Sequence, residues 1–230
     1  ACFDTGFHHT IAKVEQLLPL PYEAWRQGLR RYGFHGLSYA YMATALADVL
    51  LRHPHVLLMT DDIYEHIRFG SGENPHPVAI EPALKSRTLV INGVSKTYAM
   101  TGWRIGWAAG PEDLIAALDM LQSQSVTNAC SVSQAAALAA LRGEQGFLDE
   151  WVAVYRQRRD LALGLINAVP GLSCRTPVGA FYLYVNCSGM IGRTTPDGKL
   201  LETDMDAVMY LLEGAGVAVI AGTVYGLSPY

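Results

Sequence analysis

Lys96 follows Ser95 and precedes Arg104 by eight residues, while Asp61 and Tyr64 lie three apart at the end of another apolar run. A lysine where a buried strand ends is partly desolvated, and a second cation nearby adds to that effect. Both favour the uncharged amine that attacks a carbonyl. Arg104 keeps its charge and offers a planar fork matched to a phosphate dianion. Asp61 supplies a carboxylate able to keep a heterocyclic nitrogen protonated, and Tyr64 a phenol for an adjacent ring oxygen.

The elements around these residues follow from hydrophobic spacing. Apolar residues at helical period from Ala43 to Arg52 predict a helix that stops before Pro54. Val56–Thr60 is short and apolar throughout, as a strand covered on both faces should be, and it runs into Asp61-Asp62. Thr88–Val94 reads as a second such strand ending at Ser95-Lys96, and Arg104–Gly110 as a third. Trp103 and Trp107 flank Arg104 at strand spacing and are expected in the sheet core. In open α/β sheets ligands collect at strand C-terminal ends, so Asp61, Ser95 and Lys96 are expected to share one pocket. Amphipathic helices follow at Glu112–Gln122, Ser131–Leu141 and Gln145–Ala168, the last bridging into a small α+β domain. There, strands at Leu172–Arg175, Phe181–Val185 and Gly216–Ile220 accompany a helix over Asp204–Glu213 capped by Thr203, and Gly192–Gly198 is a turn-rich loop. Placed on this frame, the set describes a pyridoxal phosphate site. Lys96 holds the cofactor as an imine and then serves as the base that moves a proton.

Composition excludes several other classes. The chain has 230 residues, 50% apolar and 17% charged, enough for a substantial core, and its formal net charge of −4 leaves no basic excess for a nucleic acid or an anionic membrane. No run approaches the length of a membrane span, and the first residues lack a secretion signal, so the expected location is the cytoplasm. Cys2, Cys130, Cys174 and Cys187 form no C-x-x-C pair, and the histidines build no recognisable ligand set, so no metal site is expected.

Residues 90–111, VINGVSKTYAMTGWRIGWAAGP, together with Asp61-Asp62-Ile63-Tyr64-Glu65, resemble class I aminotransferases, the aspartate aminotransferase-like fold type I group. The resemblance extends through SVTNACSVSQAAALAAL, TPVGAFYLYVN and the stretch from Thr195 to Tyr230, and so spans about residues 43–230. It implies an α/β protein: a partial three-layer α/β/α large domain over 43–144 and a small α+β domain over 145–230. It also implies transfer of an amino group between an amino acid and a 2-oxo acid. Carried over by residue, Lys96 is the imine lysine, Asp61 faces the ring nitrogen, Tyr64 the ring hydroxyl oxygen and Arg104 the phosphate, with Ser95 a further phosphate contact. Gly179 would lie near the substrate entrance, or else is a simple turn glycine. Such proteins usually act as dimers, which makes a homodimer one expectation.

Members of that family continue past an equivalent of Ser228-Pro229-Tyr230 into Phe-Arg, whose arginine pairs with the substrate carboxylate, and they carry an N-terminal half not matched here. Truncation at both ends is thus expected to impair the pocket, and a non-catalytic fusion or fragment is the alternative reading. Residues 1–42 differ in character. Phe3-Asp4-Thr5-Gly6-Phe7-His8 and Arg30-Arg31-Tyr32-Gly33-Phe34-His35-Gly36 resemble two motifs of acetate kinase, with Asp4 and His35 matching residues around its acyl phosphate. Phosphoryl transfer ranks below both other readings, since so short a segment cannot build a fold that closes around ATP and no phosphate-cradling glycine loop appears. The junction between the two resemblances falls near Tyr39–Ala45.

Overall fold

The computed structural model describes residues 47–70 and 76–225; the acetate kinase-like segment, with Asp4 and His35, lies outside the described residues. A helix over 47–52 (α1) closes before Pro54 as expected, its residues 43–46 being outside the description. Arg87 secures that end, Nη1 donating to the carbonyls of His53 and Val56 at 2.9 Å each and Nη2 to that of Leu50. The last carbonyls of a helix lack intrahelical donors, and a guanidinium fork serves several at once.

The strand β1 (Leu58–Asp61) pairs in parallel with β2 (Thr88–Gly93), Asp61 opposite Ile91. β3 (Gly106–Ala109) runs antiparallel on the other side of β2, Gly93 opposite Gly106, giving the order β1-β2-β3. Between β1 and β2 lie a single helical turn (α2, Pro77–Ile80) and a 3-10 segment, Pro82–Arg87, neither of which the hydrophobic pattern predicts. Leu84 on that segment and Val94 after β2 are fully buried, and Ile67, Phe69, Leu89 and Leu50 join them in the core. The central strand is therefore the one best covered.

Beyond β3, three helices follow: α3 (Glu112–Ser125), α4 (Ser131–Arg142) and α5 (Phe147–Asn167). The described residues fall into two compact units. One comprises 47–158 with 177–181, the other 159–176 with 182–225, and α5 runs across the division. The second unit holds a two-stranded antiparallel ladder, β4 (Ser173–Cys174) with β5 (Val185–Asn186), and helix α6 (Asp204–Ala215). Thr203 caps α6 as the sequence suggests.

Four expectations need correction. Of the strand expected over Phe181–Val185 only Val185 takes part, since the second unit's ladder forms at Val185–Asn186. The third strand begins at Gly106, since Thr101–Trp103 is a 3-10 turn and Arg104 adopts left-handed backbone at φ 50°, ψ 53°. Trp103, on the 3-10 turn, and Trp107 are 44% and 40% exposed; among the described residues β3 is an outer strand of the sheet, and all four of its residues are exposed. Gly216–Ile220 forms no strand: Gly216 closes α6 in left-handed conformation, and Val217, Val219 and Ile220 stay exposed. Among the described residues no helix is long and apolar enough to cross a membrane, and no group of three or more His, Cys, Asp or Glu is arranged to hold a metal ion.

Candidate active site

The end of β1 turns sharply. Asp62 N–H donates to the Ile91 carbonyl at 2.8 Å, extending the parallel ladder by one bond, and Glu65 and Ile67 then donate back to Asp62 and Tyr64 at 2.9 Å each. Asp61 is exposed, its Oδ1 accepting from Ile63 N–H at 3.4 Å. Tyr64 rides on the turn, half-buried.

The end of β2 turns in the same region. Val94 anchors the segment, Tyr98 N–H donates to its carbonyl at 3.2 Å, and Ser95 and Lys96 are half-buried. Lys96 Nζ lies 5.9 Å from the centroid of the Tyr64 ring and 5.9 Å from that of Phe181, within reach of a cation–π attraction. Because β3 is antiparallel to β2, its beginning lies beside the end of β2, so Arg104 belongs to the same edge of the sheet as Ser95 and Lys96. The two strands approach so closely there that a Cβ on Gly106 would stand 2.9 Å from the Asn92 carbonyl oxygen. Arg104 is exposed, with Nη1 donating to the Thr101 carbonyl at 2.9 Å. Ala99 and Arg104 both hold positive φ, at 52° and 50°. Non-glycine residues pay about 1–2 kcal/mol for that conformation, and it concentrates at functional sites.

A polar network backs this edge. Asn92 Nδ2 donates to Glu65 Oε1 at 2.6 Å, tying the two turns together. His76 Nδ1 accepts from Val78 N–H at 3.2 Å, which places the proton of the neutral ring on Nε2, 3.1 Å from Thr60 Oγ1 and 3.4 Å from Asp62 Oδ2. Burial pushes the Asp62 carboxyl above its ordinary value; His76 works against this, while Glu65 and Asp61 add to it. Burial, and then Glu65, pushes the Tyr98 phenol up as well, and its hydroxyl donates to Gln145 Oε1 at 2.8 Å. An open groove of about 480 Å³ lies over β2, β3 and α3, lined by Ile91, Trp107 and Ile115 among others, but by none of the five candidate residues.

Thus the ends of the strands put Asp61, Tyr64, Ser95, Lys96 and Arg104 at one end of the sheet, where Lys96 Nζ lies 5.9 Å from the centre of the Tyr64 ring. Sequence reasoning missed Phe181, Asn92, Glu65 and His76. Phe181 stands inside a stretch quoted for its resemblance, but its place beside Lys96 depends on a contact between distant parts of the chain.

The described residues form a mixed helix-and-sheet frame whose structural neighbours are fold type I aminotransferases. A model of the family "Aminotransferase class I and II" matches residues 43–230, and one of the "Acetokinase family" matches residues 1–70. The aspartate aminotransferase of Rhizobium meliloti (strain 1021) is 53% identical over 185 residues, covering 80% of this chain and 45% of that protein. A probable aspartate/prephenate aminotransferase of Rhizobium leguminosarum bv. phaseoli is 51% identical over 185 residues, covering 80% and 46%. Among solved structures, an aspartate aminotransferase from Rhizobium meliloti superposes with a TM-score of 0.76 at 53% identity, covering 80% of this chain and 46% of its own. An aromatic aminotransferase from Pyrococcus horikoshii OT3 does so with a TM-score of 0.68 at 29% identity, covering 81% and 47%. The chain belongs to the class I and II aminotransferase family. It spans less than half the length of these relatives. Aspartate aminotransferases use pyridoxal phosphate.

Proposed function

We propose that this chain is a pyridoxal phosphate-dependent aminotransferase acting between an amino acid and a 2-oxo acid in the cytoplasm, with residues 43–144 as its cofactor-binding part and 145–230 as its small domain. The observation that carries the reading is the Lys96 amine set beside the Tyr64 ring where two parallel strands end.

The donor set fits the cofactor chemically. Lys96 supplies the amine for its aldehyde, Asp61 the carboxylate for its ring nitrogen, Tyr64 the phenol for its ring oxygen, and Arg104 with Ser95 the donors for its phosphate. Asp61 and Arg104 are both exposed and so available to a ligand. When bound, pyridoxal phosphate supplies an electron sink for charge developing at the substrate α-carbon. Asp61 holds a proton against the ring nitrogen by charge. Arg104, exposed and permanently charged, would hold the phosphate and so fix its orientation. Lys96 Nζ takes and returns the proton of the substrate α-carbon. Tyr64 lies beside that amine and orients it through its ring face.

The relatives are named aspartate and aspartate/prephenate aminotransferases, so aspartate is the amino donor to try first. Titrating the purified chain with pyridoxal phosphate, reducing with borohydride and mapping the adduct by mass spectrometry tests the reading. An adduct on Lys96 that disappears in Lys96→Ala, with amino transfer from aspartate to 2-oxoglutarate, is the expected result. Equal binding by parent and Lys96→Ala would overturn the site. A specific adduct without turnover would favour the non-catalytic alternative.

A further inference from the structure

Lys96 is bordered by more than Tyr64. The ring of Phe181 meets that of Tyr64 edge to face, centroids 5.3 Å apart at 80°, and stacks on Tyr155 at 5.5 Å and 26°. Lys96 Nζ therefore lies near two rings, one of which stacks on a third. These residues all belong to one compact unit, which takes in 177–181 although the residues on either side of that segment do not.

The backbone explains how Phe181 gets there. Phe69 N–H donates to the Val178 carbonyl at 2.9 Å, Ala180 N–H donates to the Ile67 carbonyl at 2.8 Å, and Gly179 forms an antiparallel bridge with Arg68. Ile67 and Phe69 are buried at 4% and 8% exposure, so the segment is fastened to fixed points. A Cβ on Gly179 would lie 3.0 Å from the Ile67 oxygen, and Ala180 turns through a positive φ of 57° immediately before Phe181. A strained residue between two backbone bonds and an aromatic ring aimed at the amine is geometry held by its surroundings.

We infer that Phe181 is a positioning residue for Lys96. Its ring, braced by Tyr155, confines the amine against Tyr64 and shields it from reagents arriving from solvent. This rests on Lys96 being the reactive lysine, but its signature is present in the cofactor-free chain. A cation held over an aromatic face is attracted by the ring quadrupole, an effect that leucine or methionine cannot supply.

The test is trace labelling of the cofactor-free full chain with acetic anhydride, reading Lys96 against the exposed Lys85 in the same molecules by mass spectrometry. Removing the ring should raise the Lys96 to Lys85 ratio about two- to fivefold in both Phe181→Leu and Phe181→Met, the latter keeping most of the side-chain volume. Phe181→Tyr, which restores the ring, should return it to the parent value. An unchanged ratio in the Leu and Met variants, or an equal rise in Phe181→Tyr, would overturn the inference. Mapping the borohydride-reduced pyridoxal phosphate adduct in parallel separates the two claims. A parent with shielded Lys96 but no adduct there sinks the functional reading alone, whereas an adduct on Lys96 with an unchanged labelling ratio sinks only the role of Phe181.

Discussion

Tyr64 and Phe181 are joined through one residue. Ile67 donates its N–H to the Tyr64 carbonyl at 2.9 Å and accepts at its own carbonyl from Ala180 N–H at 2.8 Å, so the turn that presents one ring also fastens the neighbour of the other. Two stretches far apart in the chain are thereby locked into one wall beside Lys96. The relay depends on a close backbone approach at Gly179.

Gly179→Ala tests that approach. The added Cβ would meet the Ile67 carbonyl oxygen at 3.0 Å, and that oxygen is backbone already engaged with Ala180. Crowding of this kind costs about 1 kcal/mol or more. The expected outcome is a chain less stable to urea by about that amount, with a smaller share of borohydride-trapped pyridoxal phosphate on Lys96. Parent-like values in both measurements would show that the bridge to Arg68 does not need glycine.

Arg104 joins backbone strain to proposed phosphate binding, and the two effects of Arg104→Gly should have opposite signs. Glycine tolerates the φ of 50° that arginine holds at a cost. After allowing for the greater freedom glycine gives the unfolded chain, stability should rise by about 0.5–1 kcal/mol. Loss of a charge-assisted contact should meanwhile weaken pyridoxal phosphate binding about 10- to 100-fold. Denaturation and cofactor titration of the same variant check both, and unchanged affinity would remove Arg104 from the phosphate site.

How much of this was legible in the sequence differs by element, for a physical reason. β2 and the helices α3, α4 and α5 match their expected bounds to within a few residues, because period, proline and glycine are local signals. Thr203 was legible as a cap for the same reason. Arg104 was misplaced into a strand because Trp103, Ile105 and Trp107 alternate as a strand would, yet nothing local signals a left-handed residue between them. Val217, Val219 and Ile220 read as a buried strand, but burial depends on what packs against a segment. Lys96, Asp61 and Tyr64 could be grouped because strand ends share an edge. Phe181 could not, since its approach rests on hydrogen bonds to residues 67–69.

Asp62 should make the chain less stable as pH rises. Burial, the largest cause, lifts its folded value above the ordinary 3.8, so between that value and the raised one the folded state binds more protons than the unfolded state. Stability is therefore present in full at lower pH and falls as pH climbs through the folded value. Asp62→Asn removes the titration while leaving an oxygen for the His76 Nε2 proton, so its stability should fall less across that window. Urea midpoints for parent and variant at a series of pH values measure this, and parallel curves would rule out the effect.

Asp206 works in the opposite sense at the start of α6. Thr203 Oγ1 accepts from Asp206 N–H at 3.2 Å and donates to Asp206 Oδ2 at 2.9 Å, while Thr203 N–H donates to the same oxygen at 3.0 Å. Lys199 Nζ sits 3.2 Å from Oδ1. The Thr203 side chain, and then Lys199, hold this carboxyl below its ordinary 3.8, so the stability it confers is present above that value and lost as pH falls through the lower folded one. Thr203→Ala deletes the side-chain half of the capping box and should cost about 1 kcal/mol at neutral pH. Because it also removes the largest cause of the depressed value, the variant should lose less further stability than the parent on acidification. Urea unfolding monitored by far-ultraviolet circular dichroism across the acid range decides the matter: a gap between parent and variant that stays constant with pH would mean that Thr203 stabilises the helix end without holding the Asp206 charge.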